Sequence, residues 1–570
     1  MRVKTNFKNL LLVLSLILLY VNSAIAQSEI PSIAIKKNLA VPMSDGVILR
    51  VDVFLPPNHE GKKFPVVLVR LPYNKRGFGI IGKHFAAKDY VVVLQDVRGK
   101  YASEGVFRFL ADEKKDGLET LDWITRQSWC DGNIGMMGPS YLSYCGLILA
   151  SEDHPALKTV INSSGLTDIY SLMHWNGSIN FMIAFTWLAI YEHHAQRSLK
   201  GIKLKELFKT MPLKNMMKKV KGYHGTWNTI AQHPYNDAYY KNLSVNPTKI
   251  KIPVLHFTGW NDWMHYQTLE VYQQIQKHNS QQKMMIGAWT HNQDLNGGSK
   301  FGDEDFGKKS ELGAEKYLEM SQRWFDYHLK GKKNGVMDEP AVTYFLMNEN
   351  KWQTAKNYPL PNAKEMSWYL HSKGQANTLN GDGVLSTRKP GKKSKIDKFV
   401  YDPANPVPTT GGLIVHFFRK DNGIKDQRKV EERSDVLVYT SKPLTKPLKI
   451  VGEVKMKLFV TSDAVDTDFT VKLVEVRKDG YARIIQDGVA KTRFRNGYAK
   501  AEKITPGKVY GLDVVVGTTA ISIPEGSRLR IEVSSSNFPK MPRNANTGIS
   551  ETQDQLKKGL IKISTKEICT

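Results

Sequence analysis

The stretch Gly135-Met136-Met137-Gly138-Pro139-Ser140-Tyr141-Leu142-Ser143 sets one serine among small residues, where a short apolar segment gives way to the apolar run from Tyr144 to Ala150. A strand that turns sharply into a helix at a serine needs small neighbours, because larger side chains collide inside the turn. The hydroxyl is a weak nucleophile unless such a turn exposes it beside a base. The strict pattern G-x-S-x-G is not kept, since Leu142 stands two residues after the serine. The turn therefore needs partners elsewhere in the chain before it carries a function.

In folds that expose a serine this way, an acid and then a histidine follow in chain order, each at the end of a later strand. Lys251 to Thr258 reads as a buried strand, apolar and β-branched, and runs into Gly259-Trp260-Asn261-Asp262. Asp262 is the expected acid. Lys283 to Ala288 is a second short apolar run, and it ends at Trp289-Thr290-His291. His291 is the expected base, with Ser140 as nucleophile.

These residues resemble a known family, the cocaine esterase-like and X-Pro dipeptidyl-peptidase-like serine hydrolases, which include α-amino acid ester hydrolases and glutaryl-cephalosporin acylases. The family carries G-x-S-Y-x-G at the nucleophile, G-W-x-D at the acid and G-P-W-x-H at the base. This chain has Gly138-Pro139-Ser140-Tyr141-Leu142-Ser143, Gly259-Trp260-Asn261-Asp262 and Gly287-Ala288-Trp289-Thr290-His291. The likeness continues through Val41 to Pro56, Gln95 to Phe107, Tyr401 to Gly412, Asp426 to Thr440 and Ser536 to Gly548, so it spans nearly the whole chain after its first residues. Ser143 stands in place of the motif's last glycine and Ala288 in place of its proline. Both are small.

The resemblance implies acyl transfer through an acyl-enzyme on Ser140, with His291 as base and Asp262 orienting it. It also implies an oxyanion hole made by the Tyr141 N–H and by the hydroxyl of Tyr73, which follows the strand-like Pro65 to Leu71. The implied fold is an α/β-hydrolase, a mostly parallel sheet flanked by helices, with an inserted helical cap and a C-terminal jelly-roll β-sandwich. No cofactor is implied.

The chain's own patterns agree with a division into several units. From about Pro31 to Ile161, short apolar segments alternate with helical patterns such as Asp112 to Gln127, where Leu118, Leu121, Trp123 and Ile124 supply an apolar face. From about Leu166 to Pro247 the chain reads as helical, including Ile179 to Arg197 and Ile202 to Lys221, and it is rich in Trp, Tyr and His. The helix Glu311 to Lys330 closes the second stretch of sheet and helix. From Pro340 onward strands follow one another without helices: Ala341 to Met347, Ser367 to His371, Leu448 to Thr461, Phe469 to Arg477 and Leu529 to Ser535. The expected units are a signal peptide at residues 1–26, the hydrolase domain at 31–165 and 249–335, the cap at 166–248 and the sandwich at 340–566.

Arg2, Lys4 and Lys8 precede the apolar Leu10 to Val21, and Ala24-Ile25-Ala26 forms an A-x-A site before Gln27. This is the pattern of a secretory leader cleaved near Ala26-Gln27, with an apolar core too short to span a bilayer. A periplasmic or secreted protein is expected. Three cysteines give no disulfide framework and no metal spacing, so no structural metal is expected. The formal charge of +26 comes from lysines scattered along the chain, densest at Lys200 to Lys221 and Lys392 to Lys398, without a nucleic-acid motif. The expected partner is a small-molecule ester or amide. Neither nucleic acid nor a membrane span is expected, and homo-oligomerisation is left open.

Substrate choice follows from charge. The α-amino acid ester hydrolases hold an ammonium group with carboxylates, two just after the acid and one in the cap. Here Trp263-Met264-His265-Tyr266 follows Asp262, and Tyr170 to Gly177 in the cap also lacks a carboxylate. A buried cation without a partner is costly. Trp175, Trp263 and Tyr266 point instead to an apolar or aromatic acyl pocket, while Trp187, the fourth aromatic of this set, is expected in the core. Amide, glutaryl or β-lactam acylase and dipeptidyl-peptidase activities are the alternatives in the same class. A non-catalytic envelope or carbohydrate-binding protein that uses the sandwich is the alternative of another class.

Overall fold

A computed structural model describes residues 33–180, 187–188, 190–192, 207–219, 225–391, 395–413, 423–553 and 564–569. The expected leader at 1–26 lies outside them, as do parts of the expected helices over 179–197 and 202–221 and of the lysine group at 392–398.

The main sheet has 10 strands. In chain order they are β1 (Ala34–Pro42), β2 (Ile48–Leu55), β3 (Phe64–Leu71), β4 (Val91–Asp96), β5 (Cys130–Pro139), β6 (Leu157–Ser163), β7 (Val254–Gly259), β8 (Gln282–Gly287), β9 (Val342–Leu346) and β10 (Lys351–Ala355). Their spatial order is β1-β2-β4-β3-β5-β6-β7-β8-β9-β10. Pairing is parallel from β4 through β9, while β1, β2 and β10 run antiparallel to their neighbours. The sheet is mixed with a parallel centre. Strands covered on both faces lose the alternation of polar and apolar residues, and the central segments Val91–Asp96 and Val254–Gly259 are buried throughout.

Helices cover the sheet. Every residue of the Tyr141–Ala150 helix is buried. The Gly313–Lys330 helix turns Tyr317, Leu318, Trp324, Phe325 and Leu329 inward. Its Trp324 indole donates to Thr159 Oγ1 of β6 at 2.7 Å, which fixes the helix to the sheet's centre.

Between β6 and β7, which pair directly, lies the insertion. Its described elements include the helices Ile169–Met173, Thr226–Gln232 and Ala238–Leu243, a two-residue ladder of His174–Trp175 with Ser178–Ile179, and single 3₁₀ turns at Leu213–Asn215 and Met217–Lys219. The single helix expected from Ile202 to Lys221 does not form across its length. Pro212 interrupts it, because proline has no N–H to donate and its ring clashes with the preceding turn.

The strand at Val342–Leu346, expected to open the C-terminal β unit, belongs to the main sheet instead, parallel to β8. Val342, Phe345 and Leu346 are buried there, and the antiparallel β10 completes the edge. A C-terminal β domain follows, with a 6-stranded and a 4-stranded sheet. Leu448–Ser462 and Tyr510–Ile523 are the long strands of the smaller sheet, while Asp468–Val476, Ala482–Lys491 and Arg528–Ser534 lie in the larger. This domain meets the main sheet where Met347 bridges to Ile521. It also reaches Trp260, whose carbonyl accepts from Gln486 Nε2 at 3.3 Å. Among the described residues no helix is long and apolar enough to cross a membrane.

Candidate active site

Ser140 stands between the end of β5 and the first residue of the Tyr141–Ala150 helix, with φ 58 and ψ −117. This is a backbone conformation that non-glycine residues adopt at a cost of about 1–3 kcal/mol, held only where the surroundings dictate it. The surroundings are specific. The Ser140 N–H donates to the Ser163 carbonyl at 2.8 Å. Gly138 has φ +137, and a Cβ there would lie 2.6 Å from Leu142 Cβ. Leu142 therefore packs over the glycine, which is why the position two after the serine need not itself be small.

Ser143, the departure from the family motif, has a constructive part. Its hydroxyl donates to the Gly138 carbonyl and accepts the Ser163 N–H at 2.8 Å. A glycine could do neither. The serine ties the first turn of the helix to the ends of β5 and β6.

Asp262 follows β7 and His291 follows β8, and the two loops are brought together by the chain ends themselves. Trp260 N–H donates to Gly287 O at 2.9 Å and Asn261 N–H to Trp289 O at 3.1 Å. A Cβ on Gly259 would come within 2.1 Å of that same Trp289 carbonyl, so only glycine admits the approach. Asn261 Nδ2 donates to the carbonyl of Ala288 at 2.8 Å. His291 Nδ1 lies 3.0 Å from Asp262 Oδ2 and 3.1 Å from Oδ1. Asp262 is fully buried. It also accepts the Met264 N–H at 2.8 Å, and the Ser164 hydroxyl nearby favours its charged form.

Burial alone would raise the Asp262 carboxyl and lower the His291 imidazole. Their mutual attraction outweighs both penalties, leaving Asp262 below the ordinary carboxylate range and His291 above the ordinary imidazole range. The Asp262–His291 pair thus favours carboxylate and imidazolium together. With Nδ1 engaged by Asp262, Nε2 is the nitrogen left to exchange a proton.

Tyr141 is the first residue of its helix, where a backbone N–H has no acceptor within the helix. Its side chain is anchored away from that N–H, the hydroxyl donating to Glu113 Oε1 at 2.7 Å, and Glu113 in turn pairs with buried Arg70 at 2.9 Å. Tyr73, just beyond β3, packs edge-on against Tyr141 with ring centroids 6.5 Å apart. Its hydroxyl oxygen accepts the indole N–H of Trp187, and burial drives the phenol's pKa upward. Tyr73 stays a neutral phenol.

A narrow cavity opens over Ser140, lined by Tyr73, Phe109, Tyr141, Leu166, Leu172, Met173, Trp187, Leu188, Trp263 and Met264. Trp263 lines this cavity, with its ring 5.6 Å from that of His291. Trp175 and Tyr266 are not among the lining residues. Trp175 lies under the Lys540 ammonium, 4.4 Å from ring centroid to Nζ, and Lys540 belongs to the C-terminal domain and is paired with Asp487 at 2.6 Å. Tyr266 lies parallel to Trp175 and sends its hydroxyl to Ser171 O at 3.0 Å. These two aromatics join the insertion to its neighbours instead of facing the cavity. Sequence reasoning missed Leu172, Met173 and Phe109, whose apolar character gave no sign that they face Ser140.

Residues 45–293 match the family profile of the X-Pro dipeptidyl-peptidase (S15 family), and residues 334–567 match that of the X-Pro dipeptidyl-peptidase C-terminal non-catalytic domain. The chain is 33% identical over 566 residues to cocaine esterase from Rhodococcus sp. (strain MB1 Bresler), covering 94% of this chain and 95% of that one. Among solved structures, an α-amino acid ester hydrolase aligns with TM-score 0.78 at 23% identity, covering 95% of each chain. An aminopeptidase from a marine sediment archaeon, Thaumarchaeota archaeon, aligns with TM-score 0.78 at 21% identity over 96% of this chain and 95% of that one.

Proposed function

The chain belongs to the X-Pro dipeptidyl-peptidase (S15) family of serine hydrolases, together with cocaine esterase, and on that premise we propose that it is a carboxylic ester hydrolase whose triad is Ser140, Asp262 and His291. What supports this reading is the strained turn at Ser140, at the end of β5, together with the hydrogen-bonded Asp262–His291 pair in the loops after β7 and β8 of the same sheet.

In this reading, His291 Nε2 takes the Ser140 proton as the hydroxyl oxygen attacks the substrate carbonyl carbon. Asp262 holds the ring and stabilises the imidazolium. The Tyr141 N–H and the Tyr73 hydroxyl receive the oxyanion, each donor being worth about 3–4 kcal/mol of transition-state stabilisation. His291 then protonates the leaving alcohol, and water repeats the sequence to release the acid from Ser140.

The acyl group is proposed to be apolar or aromatic. Among the described residues the cavity lining offers tryptophan, tyrosine, phenylalanine, leucine and methionine side chains and no carboxylate, so an α-amino acyl cation would find no partner among them. The jelly-roll form of the C-terminal β domain, the role of the insertion as a cap and export through cleavage near Ala26 belong to the same proposal.

Hydrolysis of p-nitrophenyl esters with aliphatic, phenylacetyl, glutaryl and α-amino acyl groups, by the wild type and by Ser140→Ala, tests it. Expected is turnover of the phenylacetyl or aliphatic esters that vanishes in the variant. Equal rates in both proteins would refute the nucleophile, and preference for the α-amino acyl ester would refute the pocket reading. Mass measurement of the exported protein checks the cleavage site.

A further inference from the structure

Beside the Asp262–His291 pair lies a second buried carboxyl that the triad chemistry leaves without a part. Asp294 is 2% exposed and stands three residues beyond His291, in the first turn of the short helix Gln293–Asn296. Its Oδ2 accepts a short hydrogen bond from Ser163 Oγ. Ser163 is the last residue of β6 and the point from which the nucleophile turn hangs: its carbonyl accepts the Ser140 N–H at 2.8 Å and its N–H donates to Ser143 Oγ. The adjoining Ser164 hydroxyl favours the charged form of Asp262. Two consecutive serines at one strand end thus hold the two carboxyls whose charges both act on His291. Asp262 does so through a direct hydrogen bond, Asp294 through space. Asp294 is faced by Asp262 from the loop after β7, by His291 from its own loop and by Tyr317 from the Gly313–Lys330 helix.

Resting on the triad reading, we propose that Asp294 is a positioning residue that fastens the His291 loop to the nucleophile turn through Ser163 and, when ionised, supplies a second negative charge favouring the His291 imidazolium.

The energetics agree with a functional part. Burial, with the Asp262 charge adding to it, outweighs the opposing pull of the Ser163 bond and of His291 and leaves the Asp294 carboxyl raised to about 6. A carboxyl whose value in the fold lies above its ordinary 3.8 stabilises the fold at low pH and loses that contribution as the pH rises through about 6. At neutral pH the ionised group is a burden on stability. Such burdens persist where activity depends on them.

Asp294→Asn keeps the shape and removes the charge. Expected, from ester hydrolysis followed across the acid limb, is a kcat about tenfold lower with KM within about twofold. The limb moves to lower pH, because His291 has lost a neighbouring negative charge, and the melting temperature above the Asp294 pKa does not fall. Ser163→Ala removes the hydrogen bond and leaves the carboxyl, so Asp294 ionises at higher pH, its charge is less complete across the limb, and the limb moves to lower pH by less than in Asp294→Asn. Displacements to lower pH in both variants, larger in Asp294→Asn, support the proposal. A limb unmoved in either variant, or a loss of kcat that tracks a loss of melting temperature with the limb in place, overturns it. Ser140→Ala in the same assay separates the two readings: if that variant keeps activity, the triad falls and this inference with it, whereas abolished activity with an unmoved Asp294→Asn limb sinks Asp294 alone.

Discussion

Trp187 of the insertion gives its indole N–H to the hydroxyl oxygen of Tyr73, at 3.1 Å and across 114 positions of the chain. A phenol that accepts on one side turns its own proton away from that donor, so the indole aims the Tyr73 O–H as well as holding its oxygen. Trp187→Phe keeps most of the ring and removes the donor. Expected is a loss of about 1 kcal/mol of transition-state stabilisation, roughly fivefold in kcat. Tyr73→Phe should cost more, about 3 kcal/mol. Steady-state kinetics on one p-nitrophenyl ester decide, and a Trp187→Phe kcat equal to wild type would show that the contact is packing only.

Ser143 should matter to stability even though it touches no reacting atom. Ser143→Ala leaves the buried Ser163 N–H without its acceptor, and an orphaned buried donor costs about 1–3 kcal/mol. The family's own glycine at this position should be no better here. Denaturant unfolding of Ser143→Ala and Ser143→Gly measures both, and a midpoint matching wild type in either would remove the hydroxyl from the account of the turn.

The pH profile follows from two opposite shifts. His291 is raised above the ordinary imidazole value of 6.5 and must be neutral to act as base, so kcat/KM should rise with pH along an acid limb lying above 6.5. For stability the signs run oppositely. The raised His291 contributes most below its unfolded value and loses that contribution as pH rises through its value in the fold. The lowered Asp262 contributes above its unfolded value and loses it as pH falls through its value in the fold. A limb below pH 6.5 would mean that the Asp262 charge does not govern His291.

Two tryptophans that look alike in the sequence should behave differently. Trp263→Leu should alter the ranking of acyl groups, since Trp263 lines the cavity beside Ser140. Trp175→Leu should lower the melting temperature and leave that ranking unchanged, because Trp175 packs under Lys540. A change in ranking from Trp175→Leu would place it in the substrate's path after all.

The contrast marks where the sequence was readable. Ser140, Asp262 and His291 each follow a short apolar run, and a strand buried on both faces announces itself by losing its alternation. The position of each residue along its own strand was therefore legible. What lies across strands was not. The bond from Ser163 to Asp294 joins residues 131 apart, and nothing in either neighbourhood marks the other. Aromatic composition gave the presence of Trp175 and Tyr266 without their direction, which the C-terminal domain decides. The break at Pro212 could have been read, since proline interrupts helices by its own chemistry. The sheet membership of Val342–Leu346 could not, because an apolar run carries no record of which edge it joins.

β6 and β7 are neighbours in the sheet, yet the whole insertion is threaded between them. The strand-borne groups Ser140, Asp262 and His291 are indifferent to how long that detour is, whereas Trp187, Leu172 and Met173 ride on it. On the proposed reading the detour can therefore be lengthened, trimmed or exchanged, and the lining of the cavity with it, without moving Ser140, Asp262 or His291 from their strand ends.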